Sequence, residues 1–171
     1  MSGFVGSLVV TPKDDGKTWV LLQSFGYETR KVKNIDVEVG FMTDFASIPR
    51  LLWFILPRWG KYGKASVIHD WLYWTHEVEN HRVADRIMLE AMGNLSVPAW
   101  KKYIIFWSVY LFGFISWNRN AWDRAAGFNR VIPNNQITSI EQSGRVGLIK
   151  RTWQHYLRPM KKERVGKSDD K

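Results

Sequence analysis

The chain has 171 residues and a mass of 20.1 kDa, a length that fits one ordinary domain. Hydrophobic residues make up 45% and aromatic residues 15% of the sequence, with ten tryptophans, which excludes an intrinsically disordered chain. The absence of cysteine excludes a disulfide scaffold, thiolate metal sites and a cysteine nucleophile. The first residues, MSGFVGSLVVTPKDDG, lack a basic segment followed by a long apolar run, so no signal peptide is predicted.

Positive charge is concentrated at one end of the chain. The 25 Lys+Arg and 16 Asp+Glu give a net charge of +9, and residues 144–171, with nine basic and three acidic residues, account for +6 of it. We therefore predict a single domain over residues 1–143, a basic amphipathic helix over 144–160 and a charged tail over 161–171.

Strand patterns occupy the first forty residues, in the runs SLVV, TWVLLQSF and NIDVEVGF. In the last run Ile35, Val37, Val39 and Phe41 alternate with polar residues or glycine, which is typical of a sheet with one wet face. Asp15-Gly16 indicates a tight turn between the first two runs. The N-terminal part is predicted to form a small antiparallel sheet.

Helical patterns follow from Ser66 onward, so the predicted class is α+β, with the sheet beside a helical layer. The segments HDWLY and ADRIMLEAM are predicted to form an antiparallel helix pair, the second carrying an apolar stripe that includes Ala84, Met88 and Ala91. Ser96 and Pro98 indicate the start of a third helix, and the chain is expected to become irregular beyond Trp117.

The third helix contains sixteen consecutive uncharged residues, 103–118. At 1.5 Å per residue they cover about 24 Å, less than the roughly 30 Å of a bilayer core, so no transmembrane helix is predicted. A buried central helix is the favoured interpretation, and a helix lying in a membrane interface is the alternative.

The candidate chemistry centres on His69, Asp70 and Tyr73 of HDWLY and on Asp85 of the next helix. Positions 69 and 85 average to 77, inside the predicted turn, so His69 and Asp85 are expected to lie level across the helix pair. Asp85 can then orient one ring nitrogen of His69 and leave the other to act as a base. The structural alternative is that these groups hydrogen-bond or pair with Arg82 or Arg86 only to hold the fold.

Acidic groups near this histidine also suggest a metal. A hard, oxygen-preferring cation such as calcium, held by Asp70 and backbone carbonyls with Asp44 as a further candidate ligand, suits these residues better than zinc. In the run TDFASIPR, Asp44 is interpreted as a cap for the following turn or as a site residue together with Ser47 and Arg50. Ser47 as a nucleophile lacks the usual GxSxG surroundings.

At the basic end, apolar residues from Val146 to Leu157 recur at helical spacing. Such a helix can cover its own core, dock in a partner or lie on an anionic membrane. The residues expected to bind a partner, either another protein or an anionic membrane, are Lys150, Arg151, Trp153, Arg158, Lys161 and Lys162. Nucleic acid is a less favoured partner because no recognised motif accompanies the charge.

Several motifs in fixed order resemble a phage and prophage family, the domain of unknown function 1353. They are GFMTDFASIPR, WGKYGKASVIHDWLYW, ADRIMLEAMG and VPAWKKY, within about residues 39–117. The resemblance implies a bacteriophage or prophage protein, associated with the virion or tail and located in the virion or the infected host cell. The partners of the basic end are then expected to be other virion proteins or an anionic membrane. The family resemblance implies no particular reaction.

HDxxY on one helix and an Ala-Asp pair on the next is similar to the catalytic helix pair of phospholipases A(2). This resemblance implies that His69 activates water and Asp85 orients His69. It also implies that Asp70 binds calcium and that Tyr73 supports the site. The glycine-rich calcium loop of those enzymes is not recognisable here, where RWGKYGK precedes the helix. The two competing hypotheses are a hydrolase-like protein acting on the host envelope and a non-catalytic virion protein in which these residues stabilise the fold.

Overall fold

A computed structural model describes residues 2–13, 15–29, 34–45, 60–133 and 137. The predictions for Ser47, Arg50 and the basic end from residue 144 lie outside these residues.

The described part of the chain is α+β, as predicted, with two small antiparallel sheets in place of the single predicted sheet. Strands β1 (Gly3–Val5), β4 (Phe25–Glu28) and β5 (Ile35–Val37) form one sheet in the order β1-β4-β5. Strands β2 (Val10–Pro12), β3 (Trp19–Leu21) and β6 (Met42–Thr43) form the other in the order β2-β3-β6.

The second sheet arises because the apolar run TWVLLQSF is not one strand. It breaks at residues 22–24, so β3 pairs with β2 and β6 while β4 pairs with β1 and β5. The predicted alternation is confirmed where it matters for packing, since Ile35 and Val37 are buried and Asp36 is exposed. Apolar composition alone does not mark such a break, because the residues on both sides of it are buried.

Three helices follow: α1 (Gly63–Thr75), α2 (His81–Asn94) and α3 (Ala99–Ala125). The chain reverses between α1 and α2 at His76, which adopts left-handed backbone angles at the end of α1. The side chain of Asn80 then caps α2 by accepting a hydrogen bond from the Val83 N–H. This short connection packs the two helices together as the predicted pair.

The core lies where the helices meet the sheets. The predicted stripe of α2 is confirmed, with Ala84, Met88 and Ala91 buried, while α1 is buried along almost all of its length. The ring of Phe41 meets that of Trp71 edge-on at 5.0 Å, joining the sheet region to α1. Because α1 is enclosed, its polar residues His69 and Asp70 are buried as well.

The structure corrects three expectations for α3. Pro98 rather than Ser96 occupies the cap position, and the helix continues past Trp117 to Ala125. Side chains near its end bind the end of α1, because Asn120 donates to the Tyr73 carbonyl and Arg124 donates to the Trp74 carbonyl. The helix is also not buried: one face packs on the protein and a second apolar face is exposed. No helix among the described residues combines the length and apolar character needed to cross a bilayer.

Candidate functional site

His69 and Asp85 lie level across the helix pair, at the distance that the turn midpoint predicts. His69 Nε2 is 2.8 Å from Asp85 Oδ1, with 2% of the histidine and none of the aspartate exposed. A buried carboxylate needs donors, so the bond is read as Nε2–H donating to Asp85. That tautomer leaves the lone pair on Nδ1, the ring nitrogen through which His69 can accept a proton.

Tyr73 joins the same carboxylate from one turn further along α1. Its hydroxyl donates to Asp85 Oδ1 at 2.7 Å, and its ring centroid lies 4.0 Å from that of His69. Burial raises the pKa of the Tyr73 hydroxyl, and the neighbouring carboxylates of Asp85 and Asp70 raise it further. Tyr73 therefore stays protonated and remains a donor to Asp85.

His81 is a third partner of Asp85 that the sequence-based prediction did not include. Its Nδ1 lies 3.2 Å from Asp85 Oδ2, and the two residues are four apart on α2. The signal was present in the sequence as a His-x-x-x-Asp spacing, which places both side chains on one helix face. Asp85 is thus bonded by three side chains and is the centre of the network.

Asp70, next to His69, has a different partner. Thr43 of β6 donates from Oγ1 to Asp70 Oδ2 at 2.5 Å, and the Phe45 N–H bonds to the same threonine oxygen at 3.2 Å. Within TDFASIPR it is therefore the threonine that binds Asp70, a role that the sequence-based prediction missed. Asp44 is exposed and lines the same cleft as Asp70.

The described side chains alone do not form a calcium site. One carboxylate oxygen of Asp70 is bonded to the Thr43 hydroxyl, and Asp85 is surrounded by donors. Across the described ranges no three His, Asp or Glu side chains form a group that could hold a metal ion. Calcium needs six to eight oxygen ligands, so Asp70 and Asp44 would need backbone carbonyls to complete a site, and calcium binding stays a prediction.

The site opens on a cleft of about 570 Å³ between α1 and α3. His69, Asp70 and Tyr73 form one wall. The helix α3 supplies much of the rest, including Ser108, Phe112, Ile115, Ser116 and Arg119, and Arg130 follows it in the chain. None of these residues was predicted as part of the site. The sequence of α3 resembles that of a core helix, and Arg130 lies beyond Trp117, where the sequence predicts irregular structure.

A glycine allows α3 to approach the site closely. A methyl group on Gly113 would overlap the Tyr73 hydroxyl and lie 3.1 Å from Tyr73 Cζ. Glycine at this position therefore permits both the close packing of α3 on α1 and the bond from Tyr73 to Asp85.

Comparison with known proteins gives a family without an assigned reaction. The family model described as Protein of unknown function (DUF1353) matches residues 19–109. The chain is 33% identical over 95 residues to an uncharacterized protein, y4jT, of Sinorhizobium fredii (strain NBRC 101917 / NGR234). That match covers 54% of this chain and 28% of the relative, so the chain spans under a third of the relative's length. No solved structure matches significantly. The matched family segment contains the whole His69–Asp85 network, and the chain belongs to the DUF1353 family.

Proposed function

We propose that this protein is a hydrolase of lipid esters that uses His69 as a general base. The observation that carries the proposal is the bond between His69 Nε2 and the buried carboxylate of Asp85, at the wall of an open cleft. A histidine held in one tautomer by a buried carboxylate is the arrangement that activates a nucleophile in many hydrolases.

The reaction follows from the assigned tautomer. His69 Nδ1 takes a proton from a water molecule as the water oxygen bonds to the ester carbonyl carbon. The imidazolium formed is stabilised by Asp85, which remains ionised. Collapse of the tetrahedral intermediate breaks the bond to the alcohol oxygen, and Nδ1 returns the proton to that oxygen. The products are a carboxylic acid and an alcohol, and the base is regenerated.

Tyr73 and His81 act as positioning residues in this mechanism. They bond to Asp85 from two sides, Tyr73 at Oδ1 and His81 at Oδ2, and so fix the carboxylate that orients His69. Preorganised partners of this kind reduce the rearrangement that the site must undergo as charge develops.

The cleft has chemistry that suits an anionic ester with an apolar chain. Arg119 and Arg130 supply two cations that can bind a phosphate, beside the carboxylates of Asp44 and Asp70, while Phe112 and Ile115 give the cleft an apolar rim. A phospholipid combines a phosphate with acyl esters, so it fits both features. The proposed setting, from the resemblance of the motifs, is a bacteriophage or prophage protein that acts on the host envelope. In that setting the basic end from residue 144 is proposed to contact other virion proteins or an anionic membrane.

Product identification tests the proposal. The protein is incubated with vesicles of phosphatidylglycerol and phosphatidylcholine, and the lipids are analysed by mass spectrometry. Fatty acid and lysophospholipid should accumulate in equal amounts. If neither these lipids nor soluble short-chain esters are cleaved, the His69–Asp85 network is structural and the non-catalytic virion protein becomes the better account.

A further inference from the structure

We infer that the exposed face of α3 binds the interface of an anionic lipid bilayer. The inference has two parts. The first, that α3 binds the bilayer, does not depend on whether the site is catalytic. Its second part, that binding places the cleft at the lipid surface, rests on the proposed function.

The apolar surface of the described residues is concentrated on one helix. Eleven large hydrophobic side chains are exposed in the described part of the chain, and nine of them belong to α3. Single exposed hydrophobic residues are common on proteins, whereas a contiguous group of this kind marks a contact surface.

These side chains form a stripe, which we call the α3 stripe. Its main members are Trp100, Tyr103, Trp107, Leu111, Ile115 and Trp122. They recur at separations of three, four or seven residues, so they share one side of the helix. The buried residues, such as Ile105 and Val109, lie on the opposite side. The helix is therefore apolar on two faces, and the protein covers one of them.

The composition and charge of the α3 stripe suit a bilayer interface. Tryptophan and tyrosine prefer the boundary between headgroups and acyl chains. Lys101 lies with its ammonium 5.2 Å from the Trp100 ring centre, and Lys102 lies 5.3 Å from that of Tyr103. Each pair presents an apolar ring beside a cation that can reach a phosphate. The helix contains four basic residues and one acidic residue. Arg124 is bonded to the end of α1, and Lys101, Lys102 and Arg119 are the cations that can meet anionic lipid.

The same charges oppose a second copy of this chain on the stripe. The basic residues lie at both ends of α3, with Lys101 and Lys102 at one end and Arg119 and Arg124 at the other. A parallel pair of α3 helices would place Lys101 beside its own copy. An antiparallel pair would place Lys101 and Lys102 near Arg119 and Arg124, with Asp123 as the one opposite charge at that end. Both arrangements bring like charges together, which is unfavourable.

The stripe is continuous with the cleft. Phe112 and Ile115 are 59% and 58% exposed, and both also line the cleft that contains His69 and Asp70. A bilayer in contact with the stripe would therefore lie at the mouth of the cleft. A lipid ester could then enter without crossing water, which is costly for an acyl chain.

Vesicle sedimentation tests the binding without requiring turnover. The full chain is mixed with sucrose-loaded vesicles of phosphatidylglycerol and phosphatidylcholine, or of phosphatidylcholine alone. The test variant is Trp107→Gln/Leu111→Gln, whose two residues do not line the cleft. The matched control is Val5→Gln/Val9→Gln, since Val5 is 52% and Leu111 is 56% exposed. Thermal unfolding checks that all three proteins are folded.

The test variant should lose about tenfold or more in apparent affinity for the mixed vesicles, equivalent to about 1.4 kcal/mol. The control should bind like the wild type, and pure phosphatidylcholine should bind more weakly than the mixed vesicles. Equal binding by the test variant and the wild type would overturn the inference. The inference would also be overturned if the wild type has no vesicle affinity and is a dimer, while the test variant is a monomer.

The outcomes separate this inference from the proposed function. The His69→Gln protein should bind vesicles like the wild type, because His69 is outside the stripe. The stripe variant should still cleave a soluble short-chain ester at the wild-type rate. Cleavage of vesicle lipid by a stripe variant that binds normally would refute the inference and leave the hydrolase intact. If binding depends on the stripe but the wild type hydrolyses no ester, the proposed hydrolase is refuted and the binding of α3 to the bilayer stands.

Discussion

Gly113 of α3 lies directly against the hydroxyl of Tyr73 on α1, so closely that any side chain at this glycine would overlap the hydroxyl oxygen. The contact joins the two helices that line the cleft. It also ties the geometry of Asp85 to the packing of α3, because the same hydroxyl donates to Asp85 Oδ1.

The substitution Gly113→Ala should therefore destabilise the protein and disturb the site. Overpacking a close helix contact typically costs about 1–3 kcal/mol. Because the added methyl overlaps the hydroxyl most severely, the cost should be smaller in a Tyr73→Phe background. Denaturant unfolding of both single variants and the double variant measures this coupling. Strictly additive costs would show that Gly113 does not act through the Tyr73 hydroxyl.

The substitution Tyr73→Phe alone should cost about 1–3 kcal/mol, because the fully buried Asp85 carboxylate loses one of its three donors. Tyr103→Phe is the matched control, since Tyr103 is half exposed and should change stability little. Chemical denaturation compares the two proteins. The same free energy of unfolding for both would indicate that the Tyr73 hydroxyl is replaceable by water at this carboxylate.

The pH dependence of stability should report His76, which stacks on Trp117 at 3.9 Å. Burial lowers the pKa of the His76 imidazole and nearby Arg124 lowers it further, while a hydrogen bond with the Trp117 backbone opposes the shift. The unfolded chain then takes up a proton near pH 6.5, before the folded protein does. The contribution of His76 to stability is complete above that pH and declines as the pH falls below it.

The variant His76→Asn isolates this effect, because asparagine tolerates the left-handed backbone that His76 adopts at φ 56°. Thermal unfolding is recorded between about pH 7 and pH 5, where the histidine contribution changes. The wild type should lose more of its melting temperature over this range than the variant. Parallel curves for the two proteins would contradict the assignment.

A substitution at Ser47, which lies outside the described residues, tests whether water or this serine is the nucleophile. Since the proposed mechanism uses water activated by His69, Ser47→Ala should retain most of the wild-type rate of ester cleavage. Rates and intact-protein masses during turnover measure this. An inactive Ser47→Ala protein, together with an acylated wild type, would favour the serine mechanism.

The level pairing of His69 and Asp85 could be predicted because both lie on regular helices and a turn midpoint fixes which positions face each other. His81 could have been predicted in the same way from its four-residue spacing to Asp85. Thr43 could not, since its contact with Asp70 depends on β6 pairing with β3, a two-residue strand. The exposure of one face of α3 could not be predicted either. A helix that is apolar on all sides gives no sign of which face the protein leaves uncovered.

The assignment of His69 as the general base is tested by the rate of ester hydrolysis of His69→Gln, compared with that of the wild type. The glutamine amide can still donate to Asp85, so the melting temperature should remain close to that of the wild type. Fatty acid release should fall by about 10²–10⁴-fold, the usual contribution of a general base. His76→Asn, at a histidine outside the cleft, is the control and should keep its rate. A His69→Gln protein that is folded and as active as the wild type would contradict the assignment of His69 as the base.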